Sequence, residues 1–127
     1  DCFSYNGGFA LALAPHCQRV EAIDVSADAV MRIAANAAAN GASNVTAREA
    51  NVFDELRRLE HEGERFDTVV LDPPAFAKRE DETARALQSY SRLTELALGA
   101  LAESAVAAPV QQPGAQPDRQ VLPAGMP

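Results

Sequence analysis

Apolar residues recur along this chain with two alternating periods, and the alternation lays out a succession of strands and helices. The opening DCFSY is a short β-prone run that stops at Asn6-Gly7-Gly8, where glycine adopts left-handed backbone cheaply and a tight turn forms. Helical residues follow from Phe9 to Ala14. RVEAIDV (Arg19 to Val25) alternates as a strand does, and Ser26 then stands as an N-cap with Asp28 in the first turn of the next helix. That helix places Val30, Ile33, Ala34 and Ala37 on one face and ends at Asn40-Gly41. Val45 to Ala50 reads as a weaker strand, Phe53 to Glu62 as a helix ended by Gly63, and FDTVVLD (Phe66 to Asp72) as the most apolar strand of the chain. A last helix between Asp81 and Leu101 carries Ala86, Tyr90, Leu93, Ala97 and Leu101 as its apolar stripe.

Strands alternating with helices predict parallel strands joined by crossovers, hence an α/β, Rossmann-like doubly wound sheet. In that topology the first strand is central, yet only Asp1 to Tyr5 represent it and no strand follows the last helix. The expectation is an incomplete sheet, its first strand truncated and its last strands missing, within one domain over residues 1–102. Beyond it, residues 103–127 hold five of the eight prolines and four glutamines without any period, and read as a disordered or misread tail.

Composition narrows the function. The formal net charge is -7 with a single lysine, which argues against an unaided grip on phosphate backbones. Cys2 and Cys17 lack metal-type or paired spacing, so thiols in a reducing compartment and no metal site are expected. With no membrane-length apolar stretch and no leader pattern, the expected location is the cytoplasm.

Ligands of open α/β sheets sit beyond the carboxyl ends of the strands. Four groups fall there: the turn Tyr5-Asn6-Gly7-Gly8, Asp24, Asn51-Val52, and Asp72-Pro73-Pro74. The glycines let a ligand approach the backbone, and an acid ending the next strand accepts both hydroxyls of a ribose, so the pattern points to an adenosyl ligand. Asp24 also fits a plain cap, although Ser26 is present for that task. LDPPAFAK (Leu71 to Lys78) ends a strand on a carboxylate and then two prolines, which remove two N–H donors and force an extended, stiff exit. That stiffness holds Asp72 at the lip of a pocket and leaves Phe76 for stacking on a flat substrate.

DCFSYNGGFALALA, VEAIDVSADAV, AANAAANGA, ANVFDEL and FDTVVLDPPAFAK, in that order, resemble the class I S-adenosylmethionine-dependent methyltransferases. Within these, the resemblance is to the bacterial family that makes 5-methylcytosine in large-subunit ribosomal RNA, and it covers residues 1–101. It implies S-adenosyl-L-methionine as cofactor and ribosomal RNA as the substrate of the full-length protein. It further implies that Asp1, Tyr5, Gly7 and Gly8 form the methionine-side loop, that Asp24 holds the ribose, and that Asn51 and Val52 meet the adenine. Asp72 would border the methyl group, with Pro73, Pro74 and Phe76 on the substrate side.

Two departures stand against that family. Asn51 occupies a place usually held by aspartate; its carbonyl still accepts from an amino group. The substrate-binding RNA domain and the cysteine-bearing segment of full-length relatives are absent, so the expectation is a fragment inactive by itself, its nucleophile lying outside the chain. Three other readings compete: a non-catalytic fragment of a cofactor fold, transfer to an exocyclic amino group, and a nicotinamide-dependent oxidoreductase. The last lacks G-x-G-x-x-G and gives no reason for the proline pair.

Overall fold

A computed structural model of the chain describes residues 1–103. The chain divides into two compact units, Asp1–Asp54 and Glu55–Pro127. The expected tail over residues 103–127 lies, apart from Glu103, outside the described residues.

In the first unit, α1 (Gly8–Leu13) runs into a 3-10 turn at Ala14–His16, followed by β1 (Val20–Asp24), α2 (Ala27–Ala39) and β2 (Val45–Glu49). β1 and β2 pair in parallel from Val20↔Val45 to Asp24↔Glu49, with α2 as the crossover, as the alternation predicts. The Ser26 hydroxyl accepts from the Ala29 N–H at 3.2 Å and so starts α2. Gly41, at φ +66°, takes the left-handed residue that ends it. The buried stripe of α2 is Ala29, Ile33 and Ala37, while Ala34, expected on that face, is exposed. Ile33 closes over Ala10, Ala14, Val20 and Ala22 in the core. Four of these positions are small or β-branched, which lets helix and sheet approach closely around one large side chain.

The opening residues depart from expectation. Asp1 to Tyr5 is not a regular strand: Cys2 forms a single parallel bridge to Ile23, with Ile23 N–H donating to the Asp1 carbonyl and Ser4 N–H to the Ile23 carbonyl, both at 2.9 Å. Phe3 and Tyr5 then take positive φ, 59° and 54°, so the ladder cannot propagate beyond Ser4. The opening residues thus lie alongside β1 on the edge away from β2, which preserves parallel order but at the length of one bridge.

In the second unit, α3 (Val52–His61), which begins just before the boundary, continues through buried Leu56 and Leu59, and α4 (Thr83–Gly99) buries Ala86, Leu93, Leu96 and Ala97. Glu55 is buried as well; Arg58 clasps both Glu55 and Glu62, and these hydrogen bonds push the guanidinium pKa up. The expected strand Phe66 to Asp72 is a second departure. Val69, Val70 and Leu71 are buried as their apolarity demands, yet only Phe66 and Leu71 are bridge residues. Phe66 pairs with Leu101, its N–H donating to Ala100 carbonyl at 2.8 Å and its carbonyl accepting from Ala102 at 2.9 Å. Apolar runs report burial; a ladder needs in addition a neighbour in register, which side-chain pattern does not encode. No helix among the described residues is long and apolar enough to cross a membrane.

Candidate functional site

The first unit gathers the glycine turn, Asp1 and Asp24 around the carboxyl end of β1. Asp24, the last residue of β1, is half-buried, and its two carboxylate oxygens accept different backbone donors: Oδ2 from Tyr5 N–H at 3.0 Å and Oδ1 from Ser26 N–H at 2.9 Å. Capping by Ser26 therefore does not release Asp24, which ties the turn to the strand. Each carboxylate oxygen offers about two lone-pair sites, so one acceptor position per oxygen remains for ligand hydroxyls.

Asp1 carries the complementary feature. Its Oδ2 accepts from the Ser4 hydroxyl at 2.7 Å and from Ala10 N–H at 3.1 Å. Its Oδ1 is buried with no hydrogen-bond partner among the described residues. A buried carboxylate oxygen without a donor is costly, so Asp1 is a candidate to accept from a ligand. The glycines divide the work of the turn. Gly7 sits at φ +84°, and a Cβ there would meet Ile33 Cγ2 at 3.2 Å, so backbone and packing both call for glycine. Gly8 has open space where a Cβ would stand, leaving its backbone accessible to a ligand.

Tyr5 is 63% exposed and left-handed, a conformation costing a non-glycine residue roughly 1–2 kcal/mol. It is held from α2: the Arg32 guanidinium lies 5.2 Å from the Tyr5 ring centroid. Arg32 Nε donates to Asn6 Oδ1 and Asn36 Nδ2 to the Asn6 carbonyl, both at 2.9 Å. Sequence reasoning passed over Ser4, Arg32 and Asn36. The i, i+4 spacing of Arg32 and Asn36 on the polar face of α2 was the available signal, but it does not say what that face meets.

Asn51 and Val52 lie at the end of the same unit. Asn51 Oδ1 accepts from Asp54 N–H at 3.3 Å, the geometry of an N-cap on α3. Val52 is buried, so a ligand there would meet its backbone rather than its side chain.

The second unit holds Asp72, Pro73, Pro74 and Phe76 on an irregular, extended segment, with Asp72 and Pro73 half-buried and Pro74 exposed. Phe76 is not an isolated stacking platform. Its ring packs against Tyr90 of α4 with centroids 4.7 Å apart at 51°, and its N–H donates to the Tyr90 hydroxyl at 3.3 Å. Tyr90, read from the sequence as part of the apolar stripe of α4, thus fastens the loop that follows the prolines.

The profile of the family described as conserved hypothetical protein 95 matches residues 1–116. A relative from Erwinia tasmaniensis, named ribosomal RNA large subunit methyltransferase I, is 37% identical over 101 residues, covering 77% of this chain and 26% of the relative. Its namesake from Aeromonas salmonicida is 38% identical over 109 residues, covering 84% of this chain and 28% of the relative. The chain thus spans about a quarter of the length of these curated relatives. Among solved structures, SMU.776 complexed with SAH is similar at 24% identity and TM-score 0.70, over 84% of this chain and 28% of that one. A SAM-dependent methyltransferase from Agrobacterium tumefaciens is similar at 18% identity and TM-score 0.70, over 87% of this chain and 38% of that one. These likenesses establish the Rossmann-like α/β fold.

Proposed function

The chain belongs to the family described as conserved hypothetical protein 95, and from its similarity to relatives named ribosomal RNA large subunit methyltransferase I we propose that it carries the S-adenosylmethionine-binding region of a methyltransferase acting on large-subunit ribosomal RNA in the cytoplasm. The observation that carries the reading is the pairing, at one end of β1, of an Asp24 carboxylate with acceptor capacity to spare and a buried Asp1 oxygen that has no donor among the described residues. An adenosyl amino acid offers what these groups lack: two ribose hydroxyls for Asp24 and a cationic amino group for Asp1. The open backbone at Gly8 fits the methionine side of the same molecule. When bound, that cofactor supplies an electrophilic methyl group.

The chain's own residues orient and select. Asp24 fixes the ribose and, through Tyr5 N–H, the turn beside it. Asn51 and the Val52 backbone border the adenine in this reading. Following the family resemblance, Asp72, stiffened by Pro73 and Pro74, is the residue we assign to orienting the base that receives the methyl group. Phe76, backed by Tyr90, forms an apolar wall for that base rather than a free stacking ring. The methylated atom we propose is cytosine C5, following the family resemblance. C5 chemistry requires a covalent thiolate to enrich the ring carbon. Cys2 is 3% exposed and bridged to Ile23, and Cys17 packs on the alanine-rich core, so neither serves as that nucleophile.

Titration calorimetry of the 127-residue chain with S-adenosylhomocysteine, beside NAD as control, tests the cofactor reading. Saturable binding of the first alone is expected; no binding, or equal binding of NAD, refutes it. For the target, the protein in its natural length is incubated with tritiated S-adenosylmethionine and large-subunit ribosomal RNA, and the RNA is digested to nucleosides. Label in 5-methylcytidine is expected; label on an exocyclic amino group assigns the other transfer.

A further inference from the structure

The turn at Tyr5-Asn6-Gly7 carries three features that a free loop would not keep. Tyr5 and Gly7 both sit at positive φ, 54° and 84°. Tyr5 presents a large ring to solvent while its backbone N–H is committed to Asp24 at 3.0 Å. The central residue, Asn6, is gripped twice from outside, by Arg32 on its side-chain oxygen and by Asn36 on its backbone carbonyl, each at 2.9 Å. Arg32 and Asn36 are one helical turn apart on α2 and reach the same residue from an element anchored by fully buried Ile33, which itself packs beneath Gly7.

We infer that Arg32 and Asn36 form a latch that holds the Tyr5-Asn6-Gly7 turn in its left-handed conformation, making them positioning residues for the cofactor site. The inference rests on the cofactor reading above for its purpose, but not for its mechanics. A tyrosine relaxes from left-handed backbone when nothing restrains it, because its Cβ crowds the following carbonyl. The strain persists only where surrounding contacts over-determine it. Here they are a cation over the Tyr5 ring, two hydrogen bonds on Asn6, and Gly7 N–H donating to the Ser4 carbonyl at 2.8 Å. With the turn set beforehand, a ligand arriving at Asp24 and Gly8 meets donors and acceptors already in place and need not spend binding energy on ordering them. Neither Arg32 nor Asn36 needs to touch the ligand for this effect.

The test compares the wild-type chain with Arg32→Ala, Arg32→Lys and Asn36→Ala by amide hydrogen exchange without ligand, and by calorimetry with S-adenosylhomocysteine. Losing the ring contact and one hydrogen bond in Arg32→Ala should speed exchange at Tyr5 and Gly7 about tenfold. The β1–β2 amides at Ala22 and Ala47 should keep their wild-type rates. Arg32→Lys, which retains a cation and a donor, should recover part of the protection, and affinity should fall in the same order as protection. Unchanged exchange at the turn in Arg32→Ala, or acceleration shared equally by the sheet, would overturn the latch. Loosened exchange with wild-type affinity would overturn its role in positioning the ligand. Should the wild-type chain bind no S-adenosylhomocysteine, the cofactor reading fails, and the exchange arm still decides whether the latch exists.

Discussion

Removing the Asp24 carboxylate perturbs two things that the structure lets one separate. In Asp24→Ala, Tyr5 N–H and Ser26 N–H lose acceptors at 3.0 and 2.9 Å. Both hydrogen bonds lie at the surface, where water replaces the lost acceptor, so the fold should lose only about 1 kcal/mol. The ligand loses more. Two ribose hydroxyls donating to a charged carboxylate are worth about 1.5–3 kcal/mol, or a weakening of roughly 10- to 150-fold in Kd. Asp24→Asn sharpens the reasoning. Its amide offers one acceptor oxygen and one NH2, and the NH2 would face a backbone N–H or a hydroxyl in place of an acceptor, so affinity should fall while ring and helix packing stay intact. Calorimetry with S-adenosylhomocysteine gives the affinity, and thermal unfolding of the same samples gives the stability. Asp24→Ala binding within about twofold of wild type, with the variant folded, would refute the ribose assignment.

Gly7→Ala should destabilise the chain by about 1–2 kcal/mol through its φ of +84°, with a further increment from the 3.2 Å approach to Ile33, read as a lower midpoint in urea. An unchanged midpoint would mean that the turn relaxes without resistance. Asp72→Ala, in the protein at its natural length, should lower the single-turnover methylation rate by about tenfold or more while cofactor affinity stays within a few fold. Equal losses in both would mark Asp72 as structural.

Local pattern was sufficient wherever one residue's own chemistry decides the backbone. Ser26 capping α2, Gly41 ending it, the alternation of β1 and the parallel β1–β2 order are all legible because caps, left-handed glycines and side-chain periods act over a few residues. Gly7, Gly8 and Asp24 are legible as a candidate site for a similar reason: the turn and the strand end each carry a local signature, and their order along the chain implies where they meet, whereas Asp1 enters only through the family resemblance. What tertiary structure alone decided is pairing across long separations. Whether Asp1 to Tyr5 and Phe66 to Asp72 become ladder strands depends on neighbours in register. The structure allots the first a single bridge to Ile23 and the second a bridge between Phe66 and Leu101. The restraint of Tyr5 and Asn6 by Arg32 and Asn36, and of Phe76 by Tyr90, is of the same kind, for these partners lie 14 to 30 positions apart. A polar helix face or an apolar stripe shows that a side chain has something to offer. Which backbone it meets is set only when the helix is packed, since that choice belongs to the arrangement of elements and not to any one of them.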